Sequence, residues 1–328
     1  MGTTRLVVIG ASAGGVSALL ALSASLPRQV RAPVLIVLHI GANPSVLPSL
    51  LSAHGNNRAV HAKDGERLQD GTLYVAPPNR HMLVEDGVIR LSHGPKEHHT
   101  RPAIDPLFRS AALTYGRGVI GVVLTGRLDD GTAGLQAIKD CGGLAIIQDP
   151  ADAEHPSMPA SALRAVAVDR CVPLSELGAT LARLLDEPMP AEAPPPPRRD
   201  RLEREMTVFR GEGRAMEQLN GIGRPSTFAC PDCDGVLWEL DDTEPARYRC
   251  HTGHAFSLRT LEATQAGATE EALWGAIRAL EQREGLLRKL AEHGRSNGAE
   301  ADALRTEAEA EDAAQRAAHL RQMTTKDR

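Results

Sequence analysis

A serine, a histidine and a pair of aspartates each follow or close an apolar run in this chain, and together they could carry out acyl transfer. Ser12 lies in Gly10-Ala11-Ser12-Ala13-Gly14-Gly15, directly after Leu6-Val7-Val8-Ile9. His39 stands near the end of Val34–Ile40, and Asp129-Asp130 follow Gly118–Thr125. A serine on a tight strand-to-helix turn has what a nucleophile needs: an exposed hydroxyl, small neighbours and backbone N–H groups that can hold an oxyanion. A histidine can take the serine proton, and a carboxylate can fix its tautomer and stabilise its charged form. The stretch Gly10–Gly14 fits G-x-S-x-G, but the order Ser…His…Asp differs from the Ser…Asp…His of α/β-hydrolases, so the motif does not specify that fold. The same glycines also suit a plain turn with a capping serine, or a phosphate cradle at the edge of a nucleotide-binding sheet.

These residues can meet only if the elements before them are aligned. The apolar runs are continuous rather than alternating, the pattern of strands buried on both faces. Helical spacing follows the first run, with Val16, Leu19, Leu20 and Leu22 before Leu26-Pro27. A helix is expected from Asn43-Pro44 to His54, short strands at 59–62 and 73–76, and a hairpin about Asp86-Gly87. Further helices are expected over 104–115, to Cys141 and over 174–185, with strands at 144–148 and 171–174. The alternation predicts an α/β fold, a mostly parallel sheet flanked by helices, over residues 1–187. In such a sheet sites form beyond the carboxyl ends of strands, which places Ser12, His39 and the aspartates on one edge.

The chain has 328 residues, 42% hydrophobic but only 3% aromatic, so its core is aliphatic. A net charge of −5 disfavours nucleic acid as a partner. No apolar run reaches the ~20 residues of a membrane span, and the chain opens on a strand rather than a signal sequence. A cytoplasmic location and no membrane insertion are therefore expected, with the five cysteines reduced or metal-bound.

A proline-rich linker is expected over 188–200, and a separate C-terminal region over 201–328. That region begins with a helix over Arg201–Leu219. Within 226–257, Cys230-Pro-Asp-Cys233 and Cys250-His-Thr-Gly-His254 form two ligand pairs separated by sixteen residues. This is the spacing of a tetrahedral structural zinc site, with Cys230, Cys233, Cys250 and His254 as ligands and His251 as the alternate fourth. Cys141 and Cys171 lack such partners and are expected in the core. Leu273, Ile277, Leu280, Leu287 and Leu290 then form a helical stripe, and Gly294–Gly298 breaks it before a polar helix. A helical hairpin, a coiled coil with a partner and a helix packed on its own zinc ribbon all fit this pattern.

Five motifs, in order, resemble the CheB catalytic domain of the chemotaxis protein-glutamate methylesterases: IGASAGG (9–15), LHI (38–40), YVAPPNRHM (74–82), HTRPAIDPLFRSAA (99–112) and LTGRLDDGTAG (124–134). The resemblance implies Ser12 as nucleophile, His39 as general base and acid, and Asp130 as orienting carboxylate. It implies an oxyanion site at the N–H groups of Ala13 and Arg127, and a substrate groove lined by His99, Thr100 and Arg101. The family motif reads LTGMG where this chain has Leu124-Thr125-Gly126-Arg127-Leu128, so a glycine is replaced by Leu128. The implied substrates are glutamate methyl esters, and glutamine amides, on methyl-accepting chemoreceptors, with no cofactor for catalysis. Other chemosensory components are candidate partners for the C-terminal helices. Family members usually carry a receiver domain before the esterase. This chain starts at the esterase, so the expectation is a constitutively accessible domain, or control by its C-terminal region or by another chain. The remaining alternatives are a related signalling hydrolase outside chemotaxis and a weakly catalytic binding protein.

Overall fold

The computed structural model describes residues 5–189, 199–241 and 243–325, so most of the expected proline-rich linker lies outside the described residues. Seven strands form one sheet: β1 (Leu6–Ala11), β2 (Val34–Leu38), β3 (Arg58–His61), β4 (Thr72–Val75), β7 (Val119–Val123), β8 (Leu144–Gln148) and β9 (Arg170–Val172). Between β4 and β7 the chain makes a separate antiparallel hairpin, β5 (His81–Glu85) and β6 (Val88–Ser92). The sheet order is β3-β4-β2-β1-β7-β8-β9, and every pairing within it is parallel.

The continuous apolar runs are explained by two cores. On β1 and β2, Leu6, Val8, Leu35 and Val37 face one core together with Ile104, Leu107 and Phe108 of helix α3 (Ile104–Tyr115) and Leu135 of α4 (Thr132–Asp140). Val7, Ile9, Val34 and Ile36 face the other. There they meet Leu19 and Leu22 of α1 (Gly15–Ser25), Leu51 of α2 (Leu47–His54) and Leu181 of α6 (Leu174–Asp186). Alternate residues of a strand point to opposite faces, so each strand must be apolar throughout. A short helix, α5 (Ser157–Ala165), completes the layer beside α4.

Three expectations need correction. The second helix starts at Leu47 rather than Asn43, because Pro48, not Pro44, occupies its first turn. The helix expected over Arg201–Leu219 is two, α7 (Arg199–Arg210) and α8 (Ala215–Asn220), broken at Gly211 and Gly213 in left-handed backbone. Cys171 is exposed, because β9 is the edge strand, and Cys141 is only half-buried.

Residues 223–257 form a four-stranded antiparallel sheet: β10 (Gly223–Ala229), β11 (Val236–Leu240), β12 (Arg247–Cys250) and β13 (Ala255–Ser257). The chain divides into two compact units, Met1–Leu261 and Glu262–Arg328, so this small sheet belongs to the same unit as the parallel one. In the second unit, helix α9 (Leu258–Ser296) and helix α10 (Glu300–Thr325) turn about Gly298. They are cross-linked by Arg283–Glu309, Arg295–Glu307 and Arg321–Glu281. Small buried residues, Ala291, Ala303, Ala310, Ala313 and Ala317, mark the seam, while Leu290 of the expected leucine stripe is exposed. The two helices thus form an antiparallel hairpin.

The first unit is held together by apolar contacts and a buried charge cluster. On α7, Met206 and Phe209 pack on Leu83, and Leu202 enters the core beneath α3. Beside them lie Glu97, Arg109, Glu205 and Arg249, each at most 2% exposed. Arg109 donates to Glu97 at 2.5 Å, and Arg249 donates to Glu97 at 2.9 Å and to Glu205 at 2.8 Å. Arg247 adds a bidentate bond to Glu205 at 2.8 and 3.0 Å. Burial would raise the Glu97 pKa, but Arg109 and Arg249 override it and hold the group at about 2. Removing Arg249 takes a fully buried partner from both Glu97 and Glu205, which keep only Arg109 and Arg247, so Arg249→Met is expected to cost about 3 kcal/mol in urea unfolding of the full chain. Arg247→Met, at the cluster's edge, is expected to cost less. An equal or smaller loss at Arg249 would contradict this ordering.

Candidate active site

The chain reverses direction across the sheet at β1, which has β2 on one side and β7 on the other. Ser12, His39 and Asp130 therefore come from the carboxyl ends of three adjacent strands, at the topological switch point where α/β sheets open a crevice. His39 Nδ1 lies 3.1 Å from Ser12 Oγ, and its Nε2 lies 2.7 Å from Asp130 Oδ2. With Nε2–H donating to the carboxylate, the Nδ1 lone pair faces the serine. This is the reverse of the serine-protease template, in which Nε2 faces the nucleophile.

The serine turn is held from the neighbouring strand. Ser12 N donates to Thr125 O at 3.0 Å, and Thr125 Oγ1 donates to Ala13 O at 3.0 Å. Gly126 must be glycine here: a Cβ on it would sit 2.9 Å from the Cβ of Ser12 and 2.7 Å from Met158. Thr125 is itself fixed by Gln148, whose Oε1 accepts its N–H at 2.9 Å, and by the His155 N–H at 2.8 Å. Neither Ala13 nor Arg127 donates its backbone N–H to another protein group among the described residues.

Asp130 is buried, with its carboxylate at the start of α3. Ile104 N donates to Oδ2 at 2.7 Å, Asp105 N to Oδ1 at 3.1 Å, and Gly131 N to Oδ1 at 2.8 Å. The arrangement is reciprocal. The Asp105 carboxylate, on the first turn of α3, accepts Gly131 N at 3.0 Å and Gly134 N at 2.7 Å at the start of α4. Each helix N-terminus thus binds a carboxylate presented by the other, matching its orphan donors and positive dipole end. Burial alone would raise the Asp130 pKa. The charge on His98 and the bond from His39 reverse that and hold it well below the usual carboxylate range.

His98, not singled out by the sequence, lies on the far side of this carboxylate. Its Nε2 is 3.0 Å from Asp105 Oδ2 and 3.5 Å from Asp130 Oδ1, and its side chain is 5% exposed. Burial pushes the ring toward neutrality, but Asp130 and Asp105 outweigh it and raise His98 to about 9. Of the two acidic residues after β7, Asp130 faces His39, while Asp129 accepts a bond from Ser257 Oγ at 2.7 Å. No periodicity or motif marks His98, Gln148 or Ser257, because their roles come from long-range contacts.

His99, Thr100 and Arg101 lie beyond His98, and none bonds to Ser12, His39 or Asp130 among the described residues. His99 Nδ1 pairs with Asp232 at 2.9 Å, and Thr100 Oγ1 donates to Pro102 O at 3.3 Å. Arg101 ties the segment to its neighbours, donating to Asn79 Oδ1 at 3.0 Å and to the carbonyls of His93 and Gly94 at 2.8 and 2.6 Å.

The CheB methylesterase family model matches residues 7–181, the parallel-sheet part of the chain. The chain belongs to the CheB methylesterase family. It is 41% identical over 180 residues to a putative protein-glutamate methylesterase/protein-glutamine glutaminase of Leptospira interrogans, covering 54% of this chain and 93% of that relative. It is 40% identical over 181 residues to protein-glutamate methylesterase/protein-glutamine glutaminase 2 of Anaeromyxobacter dehalogenans, covering 55% of this chain and 53% of that one. The crystal structure of the Thermotoga maritima CheB methylesterase catalytic domain superposes with a TM-score of 0.53 at 30% identity, covering 55% of this chain and 98% of that domain. Against the family pattern, Leu128 stands where glycine is usual. It keeps the left-handed conformation that glycine favours, with φ 62°. A side chain there costs about 1–2 kcal/mol. Part of this is returned by the lower entropy of the unfolded chain. Leu128→Gly is therefore expected to stabilise the protein by about 0.5–1 kcal/mol. Unfolding midpoints would check this, and a loss of stability would show that Leu128 is held by packing.

In the small antiparallel sheet, Cys230, Cys233, Cys250 and His254 form a group whose donor atoms all lie within 4.8 Å of one another and which could hold a metal ion; His251 is not part of it. Cys233 Sγ and Cys250 Sγ are 3.7 Å apart, and Cys250 Sγ is 3.5 Å from His254 Nδ1. A tetrahedral zinc with ordinary bond lengths requires about 3.8 Å between sulfurs and about 3.6 Å between sulfur and nitrogen. The donor set fits that ion.

Proposed function

We propose that this chain hydrolyses γ-methyl esters of glutamate, and side-chain amides of glutamine, on the helices of methyl-accepting chemoreceptors, through a serine acyl-enzyme. The observation that carries this reading is the continuous line from Ser12 through His39 to Asp130, at 3.1 and 2.7 Å. Family membership and the activities for which its relatives are named support the substrate class.

Ser12 Oγ attacks the ester carbonyl while His39 Nδ1 takes its proton. The imidazolium formed is stabilised by Asp130, which the charge on His98 and the bond from His39 keep ionised and which three backbone N–H groups hold in place. The tetrahedral oxyanion is placed against the N–H groups of Ala13 and Arg127. Both are uncommitted among the described residues, and a backbone donor at Arg127 survives the loss of the family methionine. Collapse expels methanol, which leaves with the proton from His39. His39 then activates water to release the carboxylate and restore the serine. An amide follows the same course with ammonia as leaving group. His99, Thr100 and Arg101 are assigned to the groove beside the site, with Arg101 shaping it through the bonds to Asn79, His93 and Gly94.

Methanol release from a methylated receptor cytoplasmic fragment tests this reading. Wild type should release methanol, and Ser12→Ala should lower kcat by at least about 10³-fold. Equal release by the two proteins would remove Ser12 as the nucleophile.

Cys230, Cys233, Cys250 and His254 are proposed to bind one structural zinc. The ion would close the module, with no part in the ester chemistry. Elemental analysis should find one zinc per chain, reduced in Cys233→Ser, and a chelator should lower the melting temperature of wild type. A full-length protein that is folded without metal and indifferent to chelation would refute the assignment.

A further inference from the structure

We propose that His98 is a positioning residue for the Asp130–His39 pair, and that the C-terminal module sets it through Thr260. The inference rests on the reading of Ser12, His39 and Asp130 as the reacting line.

The geometry comes from both sides. From the parallel-sheet part, His98 Nε2 donates to Asp105 Oδ2 at 3.0 Å and lies 3.5 Å from Asp130 Oδ1. From the C-terminal module, Thr260 Oγ1 lies 2.8 Å from His98 Nδ1. Thr260 also contacts Ser257 Oγ, whose own hydroxyl proton goes to Asp129. Thr260 Oγ1 also accepts the Ser257 N–H at 3.1 Å. His98 thus turns Nδ1 to this hydroxyl and Nε2 to the Asp105 and Asp130 carboxylates, and two carboxylates beside one nitrogen favour the charged ring.

The backbone supports the same assignment. His98 and His99 adopt left-handed conformations, with φ 52° and 58°. Two consecutive non-glycine residues in that region persist only where the surroundings over-determine them. The surroundings here belong to the C-terminal module. His98 N donates to Ala255 O at 2.8 Å, and Ala255 N donates to Lys96 O at 3.3 Å, so the segment is paired alongside β13. Glu97 is anchored by Arg249 from β12. The module thus fixes the backbone of His98 and one of its ring nitrogens.

The charges facing His98 are the carboxylates of Asp105, Asp129 and Asp130, with Glu97 and Arg109 behind them. Arg109 Nη1 is 3.9 Å from Asp105. From the module, the hydroxyls of Ser257 and Thr260 face His98, and Glu205 and Arg247 line the same small cavity, with Arg249 bonded to the adjacent Glu97. His39 lies across Asp130, so His98 and a protonated His39 share one carboxylate. The His98 charge keeps Asp130 ionised, and it also weakens the hold of Asp130 on the His39 imidazolium. Neutralising residue 98 should therefore tighten the Asp130–His39 hydrogen bond.

The test uses the full chain with ring-labelled histidines, following His39 by NMR, with methanol release measured in parallel. In His98→Gln, which keeps a donor toward Asp105, the His39 Nε2–H resonance should move downfield as its bond to Asp130 tightens, and kcat should fall about tenfold with KM unchanged. Thr260→Val should lower kcat about tenfold with KM unchanged, and Thr260→Ser should restore it. An unmoved His39 resonance in His98→Gln together with wild-type kcat in Thr260→Val would overturn the proposal. If Ser12→Ala still abolished release in that case, the triad reading would stand. If instead Ser12→Ala retained activity, the triad reading would fall, and the His39 resonance alone would decide whether His98 acts on the Asp130–His39 pair.

Discussion

Glu97, Arg109, Glu205 and Arg249 share one buried cluster that joins two parts of the chain. Each charge taken alone into the interior would carry a desolvation penalty of several kcal/mol, and the opposite charges beside it offset that penalty. Glu97 pairs with Arg109 in the segment and helix beside the candidate active site, and Glu205 pairs with Arg249 in the C-terminal module. The two pairs are tied to each other by Arg249 to Glu97 at 2.9 Å and Arg109 to Glu205 at 3.5 Å. These cross bonds seat the module against the loop between Glu97 and Ile104.

The same principle of exchanged charge organises the reacting edge. Asp130 precedes α4 yet binds the start of α3, and Asp105 opens α3 yet binds the start of α4. Two helix N-termini, each with unsatisfied donors, are satisfied by carboxylates that cross between them. Asp130 consequently cannot turn away from His39 without leaving α3 uncapped. The orientation of the candidate catalytic carboxylate is thus part of the packing of the sheet's helical layer.

Glycine positions show where close approach takes precedence over side-chain chemistry. Gly126 leaves room for the Ser12 side chain, and Gly134 lets α4 settle against Phe108 and Asp105. Leu128 is the counter-example: a left-handed turn kept without glycine, two residues before the candidate catalytic carboxylate. The turn survives because the residues on either side are anchored, Gly126 to His155 and Asp130 to three backbone amides.

Much of this was legible in the chain itself. Continuous apolar runs ended by Ser12, His39 and the aspartate pair identify buried parallel strands and their carboxyl-end residues, because a strand covered on both faces has no polar alternation. The Cys230/Cys233 and Cys250/His254 pairs mark a candidate metal-ligand set, because chelation by adjacent ligands demands short fixed spacings. The strand–helix–strand order also makes the first two strands a parallel pair, as observed. That β7 lies on the other side of β1 was not legible. Only the order β2-β1-β7 brings Ser12, His39 and Asp130 within hydrogen-bonding distance. The family resemblance points to Asp130 over Asp129, and the tertiary structure turns one to His39 and the other to Ser257. His98, Thr260 and the four buried charges left no local signature for the same reason. Their partners are far away in the chain, and a long-range electrostatic match has neither the period of an element nor the spacing of a motif.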